Sequence, residues 1–176
     1  MVKTPRQPVI LRPLEESDYD ALPRLTSDPE EAARAYWECI EPGDGICAVR
    51  DVLRARQDLT VAVIRAQGQD RVVGLGALYD VEEGKQGYVG PLVVDPMYRE
   101  HGVGGSLMSH LLGIAFKRHR VREMRARVLG ENEDGIMLCS ELGFVPYSNE
   151  ERIDPDGRRH VVVQMRINRR EHEDND

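Results

Sequence analysis

The chain contains no apolar run approaching the ~20 residues that a membrane-spanning helix requires, so no such helix is expected. Residues 1–8 include Lys3, Thr4, Pro5, Arg6 and Pro8 but no apolar signal region, which points to a cytoplasmic location. Cysteine is scarce. Cys39, Cys47 and Cys139 are odd in number and lack paired ligand spacing, so they read as free thiols in a reducing compartment rather than as a disulfide framework. His101, His110, His119, His160 and His172 also lack ligand spacing, and no metal site is inferred. A general excess of basic charge is missing as well: the formal net charge is −7, which argues against a nucleic-acid partner for the protein as a whole. Low-complexity linkers and internal repeats are absent. With 176 residues, 40% of them hydrophobic, the chain reads as one domain over residues 1–170 followed by an acidic flexible tail over 171–176.

The pattern within that domain alternates strands and helices. Val9–Leu14 reads as a strand, and a helix from Ser17 to about Leu25 follows, with Ser17 as its N-cap. Asp28-Pro29-Glu30-Glu31 opens a helix through Cys39, and a short helix is expected over Ile46–Arg56. Leu59–Ala66 and Val72–Val81 are strands joined through Gln67-Gly68-Gln69-Asp70, a hairpin signal. A strand over Tyr88–Val94 precedes a helix over Val103–Lys117, whose Leu107, Leu111, Ile114 and Ala115 recur at helical spacing. Val121–Leu129, a helix Asp134–Leu142, Phe144–Tyr147 and Arg159–Ile167 complete the set, with a turn at Asp154–Gly157. Hairpins combined with a strand–helix–strand unit predict an α/β domain with a mixed, largely antiparallel sheet flanked by helices.

The most informative segment runs from Gly90 to Met108. An apolar strand stops at Asp95-Pro96 and resumes as a glycine-punctuated helix start, which aims free backbone N–H groups and the positive end of a helix dipole at one spot. Such a spot holds an anion, most often phosphate. Gly102 and Gly104 permit close backbone approach, Gly105 is expected to let the helix pack closely on the sheet, and Arg99 adds a guanidinium. The dinucleotide fingerprint is excluded because Leu107 stands where its last glycine belongs, and the P-loop because Gly105-Ser106-Leu107 replaces its Gly-Lys-Ser/Thr.

Arg99-x-x-Gly102-x-Gly104, following Leu92-Val93-Val94-Asp95-Pro96, resembles the acyl-CoA pyrophosphate loop of the GNAT superfamily of N-acetyltransferases. Asn132, followed by Ile136-Met137-Leu138-Cys139 and Glu141-Leu142-Gly143-Phe144, is similar to the family's later helix, and Leu11-Arg12-Pro13 to the end of its first strand. The resemblance implies acetyl-CoA as co-substrate and a sheet that splays near its site. It assigns cofactor contacts to Leu92, Val93 and Val94, to Arg99, Glu100, His101, Gly102, Val103, Gly104, Gly105 and Ser106, and to Asn132 and Cys139.

Two departures bear on chemistry. Cys139 stands where the family commonly has a tyrosine that protonates the leaving thiolate; a cysteine can serve as that acid or as a small buried filler. The strand Gly87–Pro91 has no carboxylate to act as a base, which leaves Glu83 on the preceding turn, acting through water, and Tyr88 as candidates. The family builds its acceptor site from segments that correspond here to Tyr36, Trp37, Glu38, Glu41, Asp44 and the turn Asp80–Lys85, whose acids favour a cationic amine. A homodimer is one assembly open to the chain. The reading is thus an N-acyltransferase that moves acetyl to a primary amine of a small molecule or peptide by direct attack. A catalytically weak acyl-CoA sensor or interaction module is the alternative. Lys117 to Arg127 holds six basic side chains against Glu123, read either as a polyanion patch or as a helix end leading into a half-buried strand.

Overall fold

The computed structural model describes residues 8–25, 46–153 and 157–173. The expected helix over 28–39 and the aromatic and acidic residues at 36–44 lie outside them, as does most of the turn at 154–157. Strand β1 (Val9–Pro13) leads through a 3-10 segment (Glu16–Ala21) into helix α1 (Leu22–Leu25), and α2 spans Ile46–Leu53. Strands β2 (Gln57–Ala66), β3 (Gln69–Glu82) and β4 (Gln86–Val94) follow as consecutive hairpins. After a 3-10 turn (Pro96–Tyr98) come α3 (Val103–Gly113), β5 (Glu123–Leu129), α4 (Glu133–Glu141), β6 (Val145–Ile153), β7 (Arg159–Asn168) and α5 (Arg169–Glu173). The seven strands form one sheet in the order β1-β2-β3-β4-β5-β7-β6, and every neighbouring pair is antiparallel except β4 with β5. The mixed, largely antiparallel sheet expected from the sequence is therefore the observed one.

Local chemistry accounts for most boundaries. Gln67 and Gly68, at φ 52° and 79°, make the two-residue β2–β3 loop in the left-handed conformation that matches strand twist. The first helical segment does not start from Ser17: Glu15 is its N-cap, and the Asp18 carboxylate accepts the Glu15 N–H at 2.8 Å in a capping box. The helix expected over Val103–Lys117 is α-helical only to Gly113 and continues as a π-helical turn over Ile114–Arg118. The strand expected over Phe144–Tyr147 extends to Ile153, because pairing with β7 carries it on. Residues 171–173, placed by sequence in the tail, belong to α5, where His172 is buried and stacks on Phe116 with ring centroids 5.0 Å apart.

Helices cover both faces of the sheet. Leu22, Leu25, Val49 and Leu53 pack on Val61, Val63 and Leu75 on one face. On the other, Leu107 and Leu111 of α3 sink against β3 at two glycines. A Cβ at Gly76 would lie 2.7 Å from Leu111 Cδ1, and one at Gly74 would lie 3.0 Å from Leu107 Cδ1. Close helix–sheet contact thus depends on β3 glycines rather than on Gly105 alone.

A bidentate pair joins the first strand to the first helical turn. Arg12 donates to both oxygens of Asp18, at 2.7 and 2.8 Å, with Asp18 5% exposed. The Arg12 guanidinium holds the Asp18 carboxyl below the usual carboxylate range, against the opposing effect of burial and with help from the Glu15 N–H. A carboxyl whose pKa falls on folding adds stability above its unfolded value near 4 and loses it as pH drops through the lowered value. Asp18→Asn is therefore expected to cost about 1.5–3 kcal/mol at pH 7. In urea unfolding curves that difference should shrink as pH falls below about 4, and a pH-independent difference would contradict the assignment.

Candidate active site

Strand β4 is held by β3 along its length, but its parallel pairing with β5 covers only Gln86↔Glu123, Gly87↔Met124 and Tyr88↔Arg125. Past Tyr88 the two strands part. Register slips by one residue between Leu78↔Val89 and Gly76↔Leu92, which places a bulge at Gly90-Pro91, with Gly90 at φ 149° and a cis bond to Pro91. Strand β5 meanwhile stays with β7 as far as Leu129↔Val162. The sheet is splayed here, as expected.

A cleft of about 440 Å³ passes through the opening and reaches both faces of the sheet. One half is walled by Asp51, Arg56, Tyr79 and Asp80, and the other by Met108, Leu138 and Cys139, with Val89–Leu92 and Ala126–Val128 between them. The backbone edge follows from the ladder. Asp95 N–H donates to Val73 O at 2.8 Å, so by antiparallel alternation Val93 faces β3, while the backbone groups of Leu92 and Val94 turn toward the opening.

The glycine loop lies at the same end of β4. Asp95, 5% exposed, accepts the Met97 N–H at 3.0 Å and pairs with Arg71 at 3.2 Å, which pins the start of the loop. Glu100 (φ 56°) and Gly102 (φ 84°) turn the chain into α3, and Gly102 caps it without a side chain. The first-turn N–H groups of Val103, Gly104 and Gly105 therefore meet no capping side chain, and Nδ1 of His101 is buried without a hydrogen-bond partner. Ser106 Oγ instead donates to Gly102 O at 3.0 Å. Such a donor set fits a phosphate group. A Cβ on Gly104 would stand 3.3 Å from Leu138 and 3.7 Å from Val94, so its absence keeps the passage between α3 and α4 open.

Other site residues predicted from sequence separate. Asn132 accepts the Gly135 N–H at 3.0 Å as the N-cap of α4, and it borders the cleft. Cys139 lines the cleft at 2% exposure, and burial pushes its thiol up to about 12. So weak an acid is poorly matched to protonating a thiolate near neutral pH, and the residue reads as an apolar wall. Tyr88 is buried at the apex of the splay, stacked on Tyr79 at 5.0 Å, with its hydroxyl accepting from Arg125 at 3.4 Å. Glu83 is not brought to the cleft: it is exposed on the β3–β4 turn, before the end of β4 that stays paired with β5.

Residues that sequence reasoning passed over are Tyr79, Arg56 and Asp51. Tyr79 is recoverable only through its register opposite Tyr88. Arg127, assigned to a basic run, lies over the Tyr88 ring at 4.7 Å, while Met124, Ala126 and Val128 alternate into the core. Among the described residues no group of three or more His, Cys, Asp or Glu side chains could hold a metal, and no helix is long and apolar enough to cross a membrane.

Burial of Cys139 has a measurable consequence. In the native protein it should resist alkylation by iodoacetamide at pH 7.5 and react once the chain is unfolded. Mapping labelled peptides by mass spectrometry checks this, and rapid native labelling at Cys139 would contradict the closed wall.

The family model for the acetyltransferase (GNAT) family matches residues 25–144. No curated protein sequence matches significantly. Among solved structures, spermidine N-acetyltransferase from Vibrio cholerae in complex with CoA and spermine superposes with TM-score 0.77 at 20% identity, covering 94% of this chain and 98% of that one. A putative phosphinothricin N-acetyltransferase superposes with TM-score 0.72 at 18% identity, covering 92% and 98%. With the loop, the splayed strands and the later helix inside or bordering the matched span, the chain belongs to the GNAT family of acetyltransferases.

Proposed function

We propose that this GNAT acetyltransferase transfers the acetyl group of acetyl-CoA to a primary amine of a small molecule or peptide, by direct attack within a ternary complex. The observation that carries the reading is the passage through the sheet at the β4–β5 splay, with a helix start that no side chain caps at one end and a polar chamber at the other.

The CoA pyrophosphate would sit on the N–H groups of Val103, Gly104 and Gly105, with Arg99 beside them. Leu92 and Val94 would offer fixed backbone donors and acceptors to the pantetheine arm and the acetyl carbonyl, which need no reorganisation as charge develops. Leu138 and Cys139 would form an apolar wall along one side of the thioester. In the reaction the amine nitrogen attacks the carbonyl carbon. The C–N bond forms, the C–S bond breaks, the ammonium proton passes to water near Asp51 or Asp80, and the thiolate takes a proton from solvent. Those two carboxylates also favour the arrival of an acceptor as a cation. That the cleft strand supplies no carboxylate, and that Cys139 is so poor an acid, favours one second reading, a CoA-binding sensor with weak catalysis. Turnover of acetyl-CoA with a broad amine panel separates the two.

Two outcomes are expected. Acetyl-CoA should raise the melting temperature of the wild-type protein by mass action. Gly104→Val, with an unchanged circular dichroism spectrum, should remove most of that shift because its branches fill the gap toward Leu138. No shift in the wild type at millimolar CoA would overturn the loop assignment.

The kcat/KM for the amine should rise with pH as the acceptor loses its proton. Tyr79, whose hydroxyl burial pushes up to about 12 against the pull of Arg127 and Arg56, should add no falling limb below about pH 10. A flat profile from pH 6 to 9 would argue against attack by a free amine.

A further inference from the structure

The chamber on the amine side holds an unusual juxtaposition. Tyr79 and Tyr88 stack with ring centroids 5.0 Å apart. Arg56 lies over the Tyr79 ring at 4.7 Å, and Arg127 over the Tyr88 ring at 4.7 Å. Tyr79, Arg56 and Arg127 all line the cleft, and both guanidiniums act on the Tyr79 hydroxyl. The Nε atoms of Arg56 and Arg127 are buried and have no hydrogen-bond partner. A buried donor left unmade costs on the order of 1–3 kcal/mol, more where charge is involved, and both arginines that carry such a donor line the same cleft.

Nearby carboxylates do not supply that completion at either Nε. Asp51 pairs with Arg54 at 3.1 Å. Glu150 acts on Arg127 but accepts from Gln164 at 3.0 Å. Asp80 is exposed at the cleft margin. Stacking on tyrosine holds each guanidinium in place at the cleft, and a guanidinium so held offers the fork geometry that arginine presents to a carboxylate or similar oxyanion.

We propose that Arg56, Tyr79 and Arg127 form an anion subsite on the acceptor side of the cleft, and that the acceptor is an amine that also carries a carboxylate or comparable oxyanion. The inference rests on the acetyl-transfer reading and narrows it: Asp51 and Asp80 receive the ammonium end, the arginines hold the other end, and a plain polyamine satisfies only half of the chamber. An amino acid or a peptide with a free carboxylate has the required chemistry.

The test compares α-amino acids and short peptides with their C-terminal amides, and with linear diamines, as acceptors for acetyl-CoA. For the best acceptor, kcat/KM should favour the acid over its amide by at least about ten-fold, mainly through KM. Arg127→Gln and Arg56→Gln should each bring that ratio close to one, and Arg127→Lys should restore it only in part because the fork is lost. An amide or diamine that outperforms the acids, or a ratio unmoved by either substitution, overturns the subsite and leaves acetyl transfer standing. Weakened calorimetric binding of CoA itself in Arg127→Gln also overturns it, since the arginine would then serve the CoA phosphates. If no amine is acetylated while CoA still binds, the proposed activity fails and the subsite is judged by calorimetry on the CoA complex. Tighter binding of acids than of amides, abolished by Arg127→Gln, supports it; equal binding overturns it.

Discussion

The short parallel contact between β4 and β5 sets the rest of the site. Three residue pairs hold the strands together, and each strand is then committed to another neighbour, β4 to β3 and β5 to β7. Neither can turn back to close the gap without giving up an antiparallel ladder. A sheet interior normally satisfies its own backbone groups, so an internal edge of this kind is a place where polar atoms stay available. The bulge at Gly90-Pro91 strengthens the effect by removing regular pairing where the strands begin to part.

On either side of that edge the fold separates two kinds of chemistry. Toward α3 and α4 the cleft is mostly apolar, ending at a helix start whose donors are fixed by backbone conformation and by Asp95, itself anchored to Arg71. Toward α2 it is aromatic and charged. The first suits a long flexible cofactor arm, gripped at its far end; the second suits a small polar molecule whose charges must be read individually.

Much of the fold was legible because its signals are local. The β2–β3 hairpin needs only Gln67-Gly68, and the turn into α3 needs only its glycines and the strand before it. The amine side was not legible in the same way. Nothing near Glu83 says which end of β4 parts from β5; that depends on where the crossover through α3 delivers Glu123, and it delivers it beside Gln86. Tyr79, Tyr88 and Arg127 become one cluster only through the registers of three strands. The sequence left Cys139 as either an acid or a small buried filler, because its burial, which decides its acidity, comes from elements far along the chain. Ser17 misled because a serine before an acidic run is a common cap, while here Glu15 and Asp18 form a reciprocal pair that also engages Arg12.

The notches at Gly74 and Gly76 carry a mechanical consequence. With Leu107 and Leu111 seated against them, α3 is denied both rolling about its axis and sliding along it. The position of its first turn is thus set from both sides, by the loop whose start Asp95 pins and by contacts one and two turns further along. Tolerance to change across the helix is correspondingly lopsided: positions such as His110 and Lys117, which face solvent, are open to drift, whereas a methyl group added on the neighbouring strand would tilt the donor array as a lever tilts its far end.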